Sequence, residues 1–251
     1  MRKLLFLSIT LLFGCNIYAA DPASLNAKAE QAYKNKDYAA AAEIYESMQS
    51  ESELSADVCY NLGNCYYRQN QIAKAILYYE RALLIKPGMT DARENLIIAN
   101  GKKQDKIDEV GEFFVTRWVN NLANMASSDA WALTSIFCFV FALVFVLGYM
   151  FLRNMIFRKI GFFGAILLAV VFVMSILFSN KQKQRLINRE YAIVMSPSVT
   201  VKSTPDENGT SLFVVHEGTK VKIQSELDGW IEVRLSNGSV GWMLFSDVER
   251  I

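Results

Sequence analysis

A chain of 251 residues with 26 basic and 25 acidic side chains has a net charge near zero, which excludes the broad basic field that nucleic-acid binding needs. Hydrophobic residues make up 52% of it, and they are gathered into a few runs, as in a multidomain chain with a membrane segment rather than one soluble domain. One histidine (His216) and four dispersed cysteines (Cys15, Cys59, Cys65 and Cys138) leave no material for a zinc site or a Cys–His or Ser–His–Asp set, so no catalytic, metal or cofactor residues are expected and the chain does not read as an enzyme.

Residues 1–20 read as a secretory signal. Arg2 and Lys3 supply the positive start, residues 4–13 a short apolar run, and Ala19-Ala20 a small-residue cleavage site. Leu12-Phe13-Gly14-Cys15 offers a competing reading, lipidation of Cys15. Either reading exports the region beyond the leader.

Residues 22–100 carry an internal repeat with a period of 34: Ala29 matches Gly63, Ala41 matches Ala75 and Tyr45 matches Tyr79. The second copy, 56–89, has Leu62, Gly63, Tyr66, Ala75, Tyr79, Ala82 and Pro87. Gly63 and Ala75 are small where two helices of a hairpin would cross, Leu62, Tyr66 and Tyr79 fill the space between them, and Pro87 stops the second helix. The first copy, 22–55, keeps Tyr38, Ala41 and Tyr45 but has Glu53 in place of the proline; residues 90–100 supply one capping helix. These positions resemble the tetratricopeptide repeat (TPR) signature. That resemblance implies an α-helical solenoid whose first helices build a concave, partner-binding face, placing Asn26, Glu30, Tyr33 and Lys34 of the first copy and Tyr60, Asn64, Tyr67 and Arg68 of the second in the groove. Glu30 and Asp57 stand where a clamp for a ligand's terminal carboxylate prefers Asn or Lys. Cys59 and Cys65 are about 9 Å apart along one helix axis, too far to pair with each other, and read as small apolar core fillers.

Within 110–127, Phe114, Trp118 and Leu122 recur every four residues beside Val115 and Val119. Such an amphipathic juxtamembrane helix either lies at a membrane interface or caps the repeat stack. Residues 131–152 and 160–179 then contain no charge and thirteen Leu, Ile, Val or Phe each. That composition gives about −4 to −8 kcal/mol of insertion drive per segment as an upper bound, and each is long enough to cross a bilayer. Residues 153–159 form the expected turn, with Arg153, Arg158 and Lys159 suited to the cytoplasm, although Lys181, Lys183, Arg185 and Arg189 after the second span suit it equally, so the leader decides. With the leader exporting the N-terminal module, two crossings return the C-terminal module to the same side.

From residue 191 to 251 short β-rich runs alternate with turns at Pro205, Asn208-Gly209, Glu217-Gly218, Asp228-Gly229 and Asn237-Gly238. Val201-Lys202-Ser203-Thr204-Pro205, Val215-His216-Glu217-Gly218-Thr219, Gly229-Trp230-Ile231-Glu232-Val233 and Gly241-Trp242-Met243 together resemble the bacterial SH3-like (SH3b) family. This implies a small all-β barrel anchored by Trp230 and Trp242, which either fill its core or bind a peptide or cell-wall fragment. His216, in a turn before a strand, reads as a solvated surface residue.

The order of leader, TPR solenoid, two-helix transmembrane hairpin and SH3b barrel resembles the E-type members of the Bat (Bacteroides aerotolerance) family. The resemblance implies a multi-pass inner-membrane adaptor with both modules periplasmic. Its protein partners would be von Willebrand A-domain membrane proteins and a MoxR-type AAA+ ATPase, in an envelope-stress complex. The competing function is cell-wall sensing, with the SH3b module on peptidoglycan.

Overall fold

The computed structural model describes residues 22–51, 55–107, 111 and 113–251; the leader and Cys15 lie outside them. The first helical pair is α1 (Pro22–Lys34) and α2 (Tyr38–Glu51), the second α3 (Ala56–Arg68) and α4 (Ile72–Ile85), and α5 (Thr90–Asn100) stands alone against them. The 34-residue period extends to the backbone. Lys36 and Asn70 both take left-handed angles, with φ of 64° and 61°, and each donates back to the carbonyl three residues earlier, at Tyr33 and Tyr67. The degenerate first copy therefore folds as the same hairpin as the second.

The small residues act as expected. A Cβ on Gly63 would sit 2.5 Å from the Tyr79 ring, so only glycine lets α3 and α4 cross this closely. Tyr45, Leu62, Tyr66 and Tyr79 fill the interior. The Tyr66 ring stacks on Tyr78 at 5.4 Å and its hydroxyl donates to the Glu46 carboxylate. Burial pushes the Cys65 thiol up to about 11 and raises that of Cys59, so both are inert fillers rather than nucleophiles.

Two longer helices follow the short α6 (Phe114–Ala123): α7 (Ser128–Phe151) and α8 (Met155–Asn188), both long and apolar enough to cross a membrane. At 1.5 Å per residue they measure about 36 and 51 Å, against an apolar bilayer core of about 30 Å. They pack antiparallel with most of their large side chains facing outward. Gly161 and Gly164 sit where a Cβ would strike the Phe145 carbonyl or ring. The turn is tighter than the expected 153–159: only residues 152–154 separate the helices, and Arg158 and Lys159 are already helical. Asn154 explains the early start, because its side chain accepts from Ile156 N at 2.9 Å and caps α8. At its other end α8 runs nine residues past the uncharged stretch, which closes at Ser179, before it delivers the chain to the β-module.

That module is a seven-stranded antiparallel sheet of β1 (Tyr191–Val194), β2 (Ser198–Lys202), β3 (Ser211–His216), β4 (Lys220–Leu227), β5 (Trp230–Arg234), β6 (Val240–Leu244) and β7 (Val248–Arg250), in the order β3-β2-β6-β5-β4-β1-β7. One face encloses a core of Val199, Val201, Val215, Val221, Ile231, Val233 and Met243 with residues of β1 and β7. Register shifts at Val201/Lys202 and Ile223/Ser225 bend the sheet around it. Asp228 and Gly229, with φ of 47° and 84°, make the tight β4–β5 turn. Trp230 and Trp242 are not in this core. Each shares its strand with an inward neighbour one residue on (Ile231 and Met243), so alternation turns both rings to the outer face.

The solenoid and the β-module are docked. In β1, Ala192 and Val194 point into the sheet's core while Ile193 points into the helical core, where Ile251 joins it. The strand is thus buried on both faces. Helix α4 is buried nearly all round because α3 covers one side and β1 the other. Around this contact Arg81 meets Glu249 at 2.9 Å and the Arg250 carbonyl at 2.6 Å, and Lys220 meets Glu80 at 2.7 Å.

His216 belongs to the same interface and is not the solvated residue expected. Its backbone N and its Nδ1 each donate to Asp105 at 2.7 Å, on Oδ2 and Oδ1, while Gln104 Nε2 approaches its Nε2 at 3.2 Å. Since the Gln104 amide donates, Nε2 accepts and Nδ1 carries the proton. Thr219 adds a bond to Asp105 Oδ2 at 2.8 Å. Burial works against the Asp105 carboxylate, but the bonds from the His216 amide, the His216 ring and Thr219 outweigh it and hold its pKa below the ordinary value. An isolated histidine gives no hint of a partner 111 residues away, which is why the sequence misplaces it.

Candidate partner-binding groove

The first helix of each hairpin, together with α5, presents the candidate concave face. Asn64 is its polar centre. Its Oδ1 accepts from the Tyr79 hydroxyl at 2.8 Å and from Asn95 Nδ2 at 2.9 Å, and Asn95 also reaches the Tyr60 hydroxyl at 3.4 Å. Burial pushes the Tyr79 phenol above its usual range, reinforced by the neighbouring tyrosines, so it stays a neutral donor to Asn64. On α1, Asn26 donates to Glu30 at 2.9 Å across one helical turn, and Tyr33 makes an edge contact with Tyr38 at 5.1 Å.

Aromatic and cationic side chains recur from helix to helix. The Tyr33 hydroxyl beside Arg68 raises the arginine's pKa further, and Lys102 lies over the Tyr67 ring at 4.2 Å. Lys34, Arg68 and Lys102 are spaced by the repeat period and are all exposed, forming a basic row at the C-terminal ends of the three helices. Cations there complement the helix dipoles.

The structure thus brings Tyr60 and Asn64 together with Asn95, Tyr33 with Arg68, and Tyr67 with Lys102. Asn26 and Glu30 bond each other, and Lys34 stands at the rim. Asn95 and Lys102 were missed because residues 90–100 read only as a cap. The 34-residue spacing from Asn61 and Arg68 was the signal that could have found them. Tyr66 and Tyr79 are packing residues, whereas Tyr33, Tyr60 and Tyr67 remain half-exposed.

The outer face of the β-module is a second candidate surface. Trp230 pairs across strands with Leu244, and Trp242 with both Glu232 and Lys202. Lys202 Nζ sits 5.7 Å from the Trp230 ring centre. Gly241 makes this possible, because a Cβ there would meet Val201 at 2.6 Å and the Lys202 carbonyl at 2.9 Å. Among the described residues no group of three or more His, Cys, Asp or Glu could hold a metal ion.

The chain joins a helical-repeat solenoid to a small antiparallel β-module. Comparison with known families gives the two parts their identity: residues 56–89 match the tetratricopeptide repeat, and residues 197–249 match the bacterial SH3 domain. No curated protein matches the chain. The repeat match covers the second copy alone, in keeping with the degenerate first. The SH3 match begins after β1, the strand that docks on α4.

Proposed function

We propose that this chain is a membrane-anchored, non-catalytic adaptor that holds a protein partner in its TPR groove. The observation that carries the reading is the docking itself. The second helix of the matched repeat is covered by the SH3 module, while Tyr33, Tyr60, Asn64, Tyr67 and the row Lys34, Arg68 and Lys102 stay accessible. A groove of half-exposed tyrosines and amides rimmed by cations suits an extended segment carrying acidic side chains.

Membrane anchoring is supported by the outward-facing apolar surfaces of α7 and α8. It is also supported by α6, whose Phe114 and Trp118 are 74% and 64% exposed. Helix α6 is tied to α8 rather than laid on the solenoid: Gln182 donates to the Ala123 carbonyl at 2.8 Å, and Lys181 to Asn120 at 2.5 Å. This favours its interfacial reading over the capping one. The docked modules share one end of the hairpin, as two crossings require. With an exported leader, that end is periplasmic at the inner membrane. The module order supports a BatE-like place beside von Willebrand A-domain membrane proteins and a MoxR-type ATPase.

Photo-crosslinking from Tyr67 or Arg68 in cells tests the adaptor. A discrete partner lost on Asn64→Ala plus Tyr60→Ala supports it, and no crosslinked protein from either position contradicts it. The outward pair Trp230 and Trp242 favours a second reading, cell-wall binding. In that case the full chain in detergent would sediment with purified peptidoglycan sacculi and lose this on Trp230→Ala.

A further inference from the structure

A cavity of about 660 Å³ opens where α8 leaves its uncharged stretch, walled by α8, the end of α4, the start of α5 and β1. Five cations and two carboxylates line it. Both carboxylates are engaged by lysines: Glu80 by Lys220 at 2.7 Å, and Glu190 by Lys222 at 3.1 Å. The four remaining cations have no counter-charge among the described residues. Arg93 donates to the Pro87 carbonyl at 2.5 Å, Lys181 to Asn120 at 2.5 Å and Arg185 to Asn124 at 2.7 Å. Arg189, in a left-handed conformation, turns the end of the helix beside them. Neutral amides and carbonyls orient these groups without neutralising them, so the cavity is a preformed positive site.

We propose that this cavity binds a phosphate-bearing anion, and its position selects the headgroup of an anionic phospholipid. Arginine forks match phosphate oxygens in bidentate fashion, and the volume lies in the range of ligand pockets rather than of a single ion. Lys181 and Arg185 stand two and six residues beyond Ser179, about 3 and 9 Å along the axis. This spans the headgroup layer of a bilayer whose apolar core ends near Ser179. The asparagines that hold Lys181 and Arg185 belong to α6 and its C-terminal end, and α6 has the exposed face of Phe114 and Trp118. The choice of lipid over soluble phosphate rests on the membrane reading above.

The test uses the full chain in phosphatidylcholine nanodiscs with and without phosphatidylglycerol, scoring co-retained lipid by native mass spectrometry. Inorganic phosphate, added at constant ionic strength to the detergent-purified chain, is the second arm. Arg93→Gln and Arg189→Gln are compared with Lys183→Gln, a cation on α8 that does not line the cavity. We expect preferential retention of phosphatidylglycerol, reduced about tenfold or more by Arg93→Gln with Arg189→Gln and unchanged by Lys183→Gln. Arg189 is exposed, so its variant alone still reads the site if Arg93→Gln misfolds. Binding of inorganic phosphate without lipid preference would keep the site and make a soluble anion its ligand. Equal loss from Lys183→Gln, or no response in either arm, overturns the proposal. A chain that fails to enter nanodiscs refutes the membrane reading separately, and the phosphate arm then decides the site alone.

Discussion

Replacing Ile193 with alanine should undock the SH3 module from the solenoid without unfolding either. Ile193 is completely buried, yet its side chain lies in the helical core while those of Ala192 and Val194 lie in the sheet. Truncating a fully buried isoleucine costs about 2–5 kcal/mol. That shifts a docking equilibrium roughly thirty- to several-thousand-fold. The surrounding ion pairs cannot make up the loss: Glu249 is half exposed where it meets Arg81, and such a pair contributes at most about 1 kcal/mol. Hydrogen-exchange mass spectrometry of the full chain in detergent reads the outcome. Peptides of α4 and β1 should exchange faster, while β5, whose Ile231 and Val233 are buried inside the sheet, keeps its protection. Equal loss in β5 would mean that Ile193 holds the sheet itself, and unchanged α4 would mean that the modules do not dock through it.

Asp105→Asn should destabilise the docked state by about 1–3 kcal/mol at neutral pH, because it weakens three bonds to His216 and Thr219. The folded pKa of Asp105 lies below its ordinary 3.8, so the unfolded state binds more protons between the two values. The stabilisation is therefore full above about pH 4 and fades as pH falls through the folded pKa. The melting difference between parent and variant should shrink only there, and a difference flat down to pH 2 would contradict the linkage. Gly63→Ala should lower stability by about 1–3 kcal/mol in urea titration, since the new methyl meets the buried Tyr79 ring; an unchanged midpoint would show that the ring can move. Lys36→Gly should raise the melting temperature by relieving about 1 kcal/mol of left-handed strain, whereas the same change at Lys34, the helical residue two earlier, should lower it.

The helical repeats were legible because their evidence is local. Period, small residues and aromatic fillers all lie within 34 residues, and Gly63 against Tyr79 needs no distant partner. Six of the seven strands were readable from alternation and Gly-containing turns. The seventh, Val248–Arg250, is three residues long and exists because β1 pairs with it. The docking was hidden. Tyr191-Ala192-Ile193-Val194 reads as an ordinary short strand, and nothing in it says that Ile193 serves one core and its neighbours another. Trp230 and Trp242 could be read either as core fillers or as a binding pair, and strand alternation relative to Ile231 and Met243 puts them outside. In the groove, the tyrosines followed from the repeat, but Asn95 and Lys102 needed the recognition that α5 lines the face as well as closing the stack.

Both modules should sit together on the exported side of the membrane. Single cysteines placed at Lys34 and at Asn237, both exposed, can be tested with a membrane-impermeant maleimide on intact spheroplasts, with the parent chain as the blank. The native Cys59, Cys65 and Cys138 are buried and should stay quiet. Both new positions should label fully before lysis. Labelling of only one of them, or of both only after lysis, would contradict it.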